Sequence, residues 1–392
     1  MNTTTPVLRA AHPQHPPLPP PDYARNYQPS YPDRAALAAA MATLRQAAGV
    51  ATPATISALQ HDLAALATGR LRTPLIITGR CAEPVGHENA ATIAGQSLRC
   101  RELVRSAFAP LAVIDVERGR GQNVKPRSTP AGQHATNGSL APYMGDAING
   151  APESERTPDP QRLVQAAQQA LAVEQVLRQR IGRHRYAAHE ALSLAYEYSL
   201  LRAGSNGTCY AASGDLLWLG NRTNDPDGPH TALLAGITNP VGVKIGPDIT
   251  PARICALARQ LNPHHIPGRI TWMIRIGTGR PDTLRAALGA IRQHASHTLV
   301  LYDIHGATRV SMDGTKIREV HAVIQDIAAT AAAAQAAGLK LHGLHLETIM
   351  DDTRLECTDR PGQLPQHAGG IDPQLNPQQL RQVLAATARY LL

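Results

Sequence analysis

Asn239-Pro-Val-Gly-Val-Lys-Ile-Gly-Pro247 reads as a strand running into a turn. Val241, Val243 and Ile245 form a β-branched run, and Gly246-Pro247 closes it. A run this apolar belongs to a strand buried on both faces, the setting of a parallel sheet. Lys244 lies inside it. A lysine there either reaches solvent from a frayed strand end or meets a fixed anion. The sequence on either side of the stretch decides between the two.

Outward from this stretch, strands and helices alternate. Eight strand candidates lie at 75–78, 111–116, 185–188, 216–220, 241–245, 270–276, 298–302 and 341–346. Helical patterns fall between most of them, at 250–261, 283–295 and 320–337, and a last helix is expected over 376–391. Eight alternating strands imply a parallel sheet closed as an α/β (β/α)8 TIM barrel. The connection from 117 to 184 is too long for a simple crossover. It holds a polar segment at 119–158 and a helix over about 160–180, capped by Asp159. The barrel is therefore expected to carry an insertion between strands 2 and 3. Its catalytic domain is assigned to 74–392 and an N-terminal helical extension to 33–73, with helices at 33–48, capped by Asp33, and 53–68. Residues 1–32 form a proline-rich arm, His-Pro-Pro-Leu-Pro-Pro-Pro at 15–21, of polyproline type.

Composition narrows the function classes. The chain has 392 residues, one Phe, two Trp and ten Tyr, and a formal charge of +8. The arginines are scattered and aromatic stacking platforms are scarce, which argues against nucleic acid. Phosphorylated small molecules explain the charge equally well. Cys81, Cys100, Cys209, Cys255 and Cys357 are odd in number and widely spaced, so neither a zinc ribbon nor a disulfide framework is expected. No apolar run of about 18 residues is present to span a membrane, and no signal peptide is read, so a cytoplasmic protein is expected.

Polar residues cluster where the strands end. In order they are Arg80-Cys81-Ala82-Glu83, the run from Arg118 to Ser128, His189-Glu190, Asn221-Arg222-Thr223, Lys244, Arg275, His305-Gly306 and Glu347-Thr348. In a barrel, these ends converge on one mouth. Arg118, Arg222, Lys244 and Arg275, with Lys125 and Arg127, form a cationic set suited to phosphate and carboxylate. Such a set repels itself unless anions fill it. Cys81, His305 and Glu347, with Asp372 as a fourth, combine thiolate, imidazole and carboxylate in a borderline metal set. Taken singly, Cys81 reads as a small buried hydrophobe and His305 as a loop histidine. Their common placement at strand ends favours a site.

These residues resemble a known family. Arg118-x-x-Gly121-Gln122-x-x-Lys125-Pro126-Arg127-Ser128, Gly145-Asp146-Ala-Ile-Asn149-Gly150, His189-Glu190-Ala-Leu, Trp218-Leu-Gly-x-Arg222-Thr223 and Asn239-Pro-x-Gly-x-Lys-x-Gly-Pro247 resemble the signatures of type II 3-deoxy-D-arabino-heptulosonate 7-phosphate (DAHP) synthases. His305-Gly306, Gly343-Leu-His-Leu-Glu347-Thr, Glu356-Cys357-Thr and Asp372-Pro-x-Leu-Asn376 continue the match in the family's order. Within the family, the chain looks closest to the phenazine-pathway, secondary-metabolism members. The resemblance implies a condensation of phosphoenolpyruvate with erythrose 4-phosphate, at the first step of the shikimate pathway or of a branch from it. It implies a divalent metal (Mn2+ first, Co2+, Fe2+ or Zn2+ as alternatives) on Cys81, His305, Glu347 and Asp372. Phosphoenolpyruvate would lie on Arg118, Arg222, Lys244 and Arg275. Arg127, Ser128, Lys316 and Arg318 would hold the aldose phosphate, and Lys125 and His305 would be catalytic. A homodimer, with no nucleic-acid or membrane partner, is expected.

Several positions depart from the family pattern. Arg80 stands where an acid precedes the metal cysteine, and Asn221 stands for a glutamate. Tyr302-Asp303-Ile304-His305-Gly306-Ala307 stands for Asp-Pro-Met-His-Gly-Asn, Met144 for an arginine, and Ile317 for a threonine. Two alternatives therefore stay open: a member with an altered aldehyde acceptor, and a non-catalytic ligand-binding relative.

Overall fold

In the computed structural model, residues 27–121, 141–182, 184–312, 314–359 and 371–391 are described. Eight parallel strands close a barrel: β1 (Leu75–Gly79), β2 (Ile114–Glu117), β3 (Tyr186–Glu190), β4 (Leu216–Leu219), β5 (Val241–Ile245), β6 (Ile270–Ile274), β7 (Leu299–Asp303) and β8 (Gly343–Glu347). The strand order around the barrel is β1-β8-β7-β6-β5-β4-β3-β2. The expected (β/α)8 architecture is the observed one. Two ends moved in ways that matter. The second strand starts at Ile114 rather than 111, because Leu111 lies in an exposed bend after the preceding helix. The eighth runs on to Glu347, pairing it with Gly79.

Side-chain alternation divides the strands cleanly. Ile76, Leu217, Val243, Trp272, Val300 and Leu344 face the surrounding helices in one cluster. Leu75, Ile77, Val116, Leu216, Trp218, Met273 and Leu301 fill the barrel in another. Lys244 is in phase with Gly242, and a Cβ on Gly242 would come within 2.8 Å of Trp218 Cβ and 2.7 Å of Met273 Cε. Glycine at 242 thus makes room for the large inward residues beneath Lys244.

The helices are α1 (Arg34–Gln46), α2 (Pro53–Ala67), α3 (Ala90–Phe108), α4 (Gln161–Ile181), α5 (Leu194–Ser199), α6 (Pro229–Ala235), α7 (Pro251–Leu261), α8 (Pro281–His294), α9 (Val320–Ala336) and α10 (Pro377–Thr387). Asp33 caps α1, accepting from Ala36 N at 2.8 Å. Asp159 sits one residue outside the α4 cap position, which Pro160 takes, but its Oδ1 still accepts from Gln161 N at 2.9 Å. The last helix is shorter than expected, ending at Thr387 with a single 3-10 turn beyond. Leu59, Leu63 and Leu66 of α2 join the interior cluster and plug the end of the barrel where the strands begin. α1 packs instead through Leu37, Met41 and Leu44 on the cluster of α4 and α5. Among the described residues, no helix is long and apolar enough to cross a membrane.

Candidate active site

The inward phase of the strands carries apolar residues low in the barrel and charges at the carboxyl-terminal ends. Trp218 forms the floor. Arg118 lies 5.7 Å and Lys244 Nζ 5.6 Å from its ring centre, both in cation–π range. Glu190, Asp303, His345 and Glu347 complete the ring around them.

Cys81, His305, Glu347 and Asp372 come together on one side of the mouth. Ligand atoms of Cys81, Glu347 and Asp372 lie within 4.8 Å of one another. His305 Nε2 is 3.1 Å from Glu347 Oε1 and 3.6 Å from Asp372 Oδ2. Cys81 Sγ is 3.8 Å from Asp372 Oδ2 and accepts from Asp372 N at 3.3 Å. The chain brings Asp372 in by a short parallel pairing, in which Leu375 N donates to Glu347 O and Ile349 N to Leu375 O, both at 2.9 Å. Gln374 locks the two loops, its Oε1 accepting from Cys81 N at 2.7 Å and its Nε2 donating to Glu356 at 3.0 Å. The donor set fits a divalent cation. Ligand atoms about 2.0–2.3 Å from a tetrahedral ion stand roughly 3.3–3.8 Å apart, and these contacts lie in or near that range.

Arg118 is completely buried. Its Nη1 is 3.2 Å from Glu347 Oε1 and 3.1 Å from His345 Nε2. Lys244 is also buried, with Nζ 3.6 Å from Asp303 Oδ2 and 4.0 Å from Glu190 Oε2. Burial pulls its pKa down, Asp303 and Glu190 oppose this, and Arg118 and Arg275 add to the depression. Arg118 and Lys244 therefore already face protein carboxylates before any ligand is bound. Arg275, just past β6, is half-buried, and Arg222 is exposed in the loop after β4.

Burial alone would raise the Asp303 carboxyl, but His305, Lys244 and His345 together hold it well below the usual range. Burial pushes His345 down to about 3. Asp303 and His345 were missed as site residues. The period-two phase shared by His345 and Glu347 was the signal that would have found His345.

Arg318, expected at the aldose phosphate, makes its contacts within the protein. It is fully buried behind Glu347, with Nη1 3.1 Å from Glu347 Oε2 and bonded to Pro373 O, and with Nε and Nη2 on Thr308 Oγ1. Its guanidinium is spent within the protein because the hairpin strand Lys316–Arg318 turns alternate residues inward. Lys316 lies half-buried with Nζ 2.9 Å from Asp372 Oδ1. Arg80 points away from Cys81, to Glu88 at 2.8 Å and Gln96 at 2.6 Å. His189 faces outward, its Nε2 2.7 Å from Glu197. Lys125, Arg127 and Ser128 lie outside the described residues.

Fold and site together define a (β/α)8-barrel protein with a candidate metal cluster and a set of cations at its carboxyl-terminal mouth. The profile of the Class-II DAHP synthetase family matches residues 21–184 and 180–387, and the chain belongs to that family. It is 33% identical over 370 residues to the "Probable phospho-2-dehydro-3-deoxyheptonate aldolase" of Pseudomonas fluorescens, covering 90% of this chain and 92% of that one. The "Phospho-2-dehydro-3-deoxyheptonate aldolase" of Streptomyces coelicolor is 26% identical over 414 residues, covering 89% and 91%. A solved structure of the aldolase of that name from Francisella tularensis SCHU S4 shares the fold, with a TM-score of 0.57 at 14% identity over 90% of this chain and 97% of that chain.

Proposed function

We propose that this protein is a metal-dependent transferase that condenses phosphoenolpyruvate with erythrose 4-phosphate, or a close aldose analogue, to a seven-carbon keto-acid phosphate and inorganic phosphate. The observation that carries this reading is the contact between the two halves of the mouth. Arg118 touches Glu347 of the Cys81–His305–Glu347–Asp372 group and shares the Trp218 floor with Lys244. Family membership supports the reaction type.

A divalent cation on the four ligands, Mn2+ by preference, would supply Lewis acidity to the aldehyde oxygen. Arg118, Lys244, Arg275 and Arg222 would grip the carboxylate and phosphate of phosphoenolpyruvate and aim its C3 at the aldehyde carbon. Proximity then supplies much of the rate. As the C3–C bond forms, C2 becomes electron-poor; water adds there, and the C2–O bond to phosphate breaks. Lys125 is assigned as proton donor to the new alkoxide. Arg318 is assigned to positioning Glu347 rather than to substrate. An altered acceptor is the second reading, favoured by the inward turn of Arg318 and by Asn221. A place in a secondary-metabolite branch of the shikimate pathway is part of that second reading.

Metal titration, phosphoenolpyruvate binding and phosphate release test the assignment together. Cys81→Ser should lose metal affinity and turnover. Lys244→Gln should bind metal at least as tightly and weaken phosphoenolpyruvate roughly 10- to 100-fold, the worth of a charge-assisted contact. A wild-type protein that binds phosphoenolpyruvate no better than the Lys244→Gln variant contradicts the reading.

A further inference from the structure

Asp303 ends β7 fully buried, and each of its two oxygens serves a different half of the mouth. Oδ1 accepts from His305 N at 2.9 Å and lies against His305 Nδ1. Oδ2 lies 3.6 Å from Lys244 Nζ and 3.1 Å from His345 Nδ1. His345 Nε2 in turn meets Arg118 Nη1 at 3.1 Å. A guanidinium only donates, so Nε2 must accept and the His345 proton sits on Nδ1, facing Asp303. Arg118 Nη1 and His305 Nε2 both reach Glu347 Oε1, at 3.2 and 3.1 Å. The contacts Arg118–His345–Asp303–His305–Glu347–Arg118 thus form a closed ring, and Lys244 branches from Asp303.

Asp303 is the last residue of β7, two residues before His305. A carboxylate on the far nitrogen of a ligating histidine fixes the tautomer and raises the basicity of the near one. A carboxylate beside a buried lysine keeps it charged. Asp303 is placed to do both at once.

We propose that Asp303 is a positioning residue that holds His305 with its proton on Nδ1 and Nε2 open toward a metal, while sharing its charge with Lys244. Lys244 and the metal site then compete for one carboxylate, so drawing Lys244 away leaves more of that charge to His305. This rests on the reading of the mouth as a metal site beside a phosphoenolpyruvate site.

The test is a double-mutant cycle on the full chain. Co2+ affinity is read by competition with a chromophoric chelator in wild type, Asp303→Asn, Lys244→Gln and the double variant. Asp303→Asn keeps the shape and removes the charge, and should weaken Co2+ about 10- to 100-fold. Lys244→Gln alone should tighten Co2+, and that gain should shrink by about threefold or more in the Asp303→Asn background. Co2+ affinity in Asp303→Asn within about twofold of wild type overturns the proposal, as does an equal Lys244→Gln effect in both backgrounds. A wild type that binds Co2+ only through surface sites, unaffected by Cys81→Ser, instead takes down the underlying reading. A second measurement needs no variant. With Zn2+ bound, the imidazole 1H–15N spectrum of wild type should place the protons of His305 and His345 on Nδ1, and an Nε2–H tautomer at either ring in the loaded protein overturns the proposal.

Discussion

Arg318 Nη1 lies 3.1 Å from Glu347 Oε2, and both side chains are fully buried. The pair is a built-in brace. Arg118 holds the other oxygen of the same carboxylate at 3.2 Å, so Glu347 presents one fixed face toward His305 and Asp372. The Arg318 guanidinium also binds Pro373 O, next to Asp372, so one arginine fixes two members of the acidic cluster.

Replacing Arg318 with Met should therefore cost stability as well as activity. Removing one partner of a buried pair costs about 3–5 kcal/mol, and the low end is expected because Arg118 remains on Glu347. Denaturant unfolding of the variant should show this loss, and its metal affinity should fall. A variant that unfolds like wild type but loses only aldose-phosphate affinity would restore Arg318 to the substrate.

Trp218→Leu should raise the KM for phosphoenolpyruvate more than it lowers kcat. Each cation–π contact is worth about 0.5–2 kcal/mol, and two are lost, giving roughly tenfold or more in KM. Metal affinity should change little, because Arg118 and Lys244 keep their charges and their contacts with Glu347 and Asp303. Steady-state kinetics with metal saturating checks the split.

His184 gives a pH signature in a different part of the fold. Nδ1 is 2.7 Å from Glu174 on α4 and Nε2 is 2.6 Å from Asp215, just before β4. Burial lowers its pKa, but Asp215 and Glu174 outweigh this and leave it above 6.5. Arg120 and Arg178 share Glu174, and Tyr186 packs edge-on to the ring. With the folded pKa above the unfolded one, the stabilisation is complete below about pH 6.5. It is lost as pH rises through the raised folded value. The melting temperature of wild type should fall across that window, and His184→Asn should flatten the slope. Equal slopes in the two proteins would deny the contribution.

Much of the barrel was legible because strand burial is written locally. Val241, Val243 and Ile245 read as a strand buried on both faces, and similar runs supplied most of the count; the exception is 185–188, Arg-Tyr-Ala-Ala, which has neither a β-branched residue nor a leucine. The strand ends also announced the cations and metal-type ligands, since a charge in such a run needs a reason. The burial of Arg318 was not legible because which way a hairpin residue turns depends on register with Thr308–Val310, which no local pattern carries. Asp303 was passed over because a single buried carboxylate has no spacing signature; His345 had one, its period-two phase with Glu347, which marks an inward position but not a role. Their meaning comes from Lys244 and Arg118, which are distant in sequence and adjacent only once the barrel closes. Gly242 is the converse case, an unremarkable residue whose missing Cβ sets the height of Trp218 beneath both cations.

The central claim is the condensation itself. The decisive measurement is a mass-resolved product assay of the Mn2+-loaded full chain with phosphoenolpyruvate and a panel of aldose phosphates. The account predicts that erythrose 4-phosphate or a close analogue yields a keto-acid phosphate three carbons longer than the aldose, with one phosphate released per product. Phosphoenolpyruvate left unconsumed with every member of the panel, by a folded protein that binds both the metal and phosphoenolpyruvate, would contradict it.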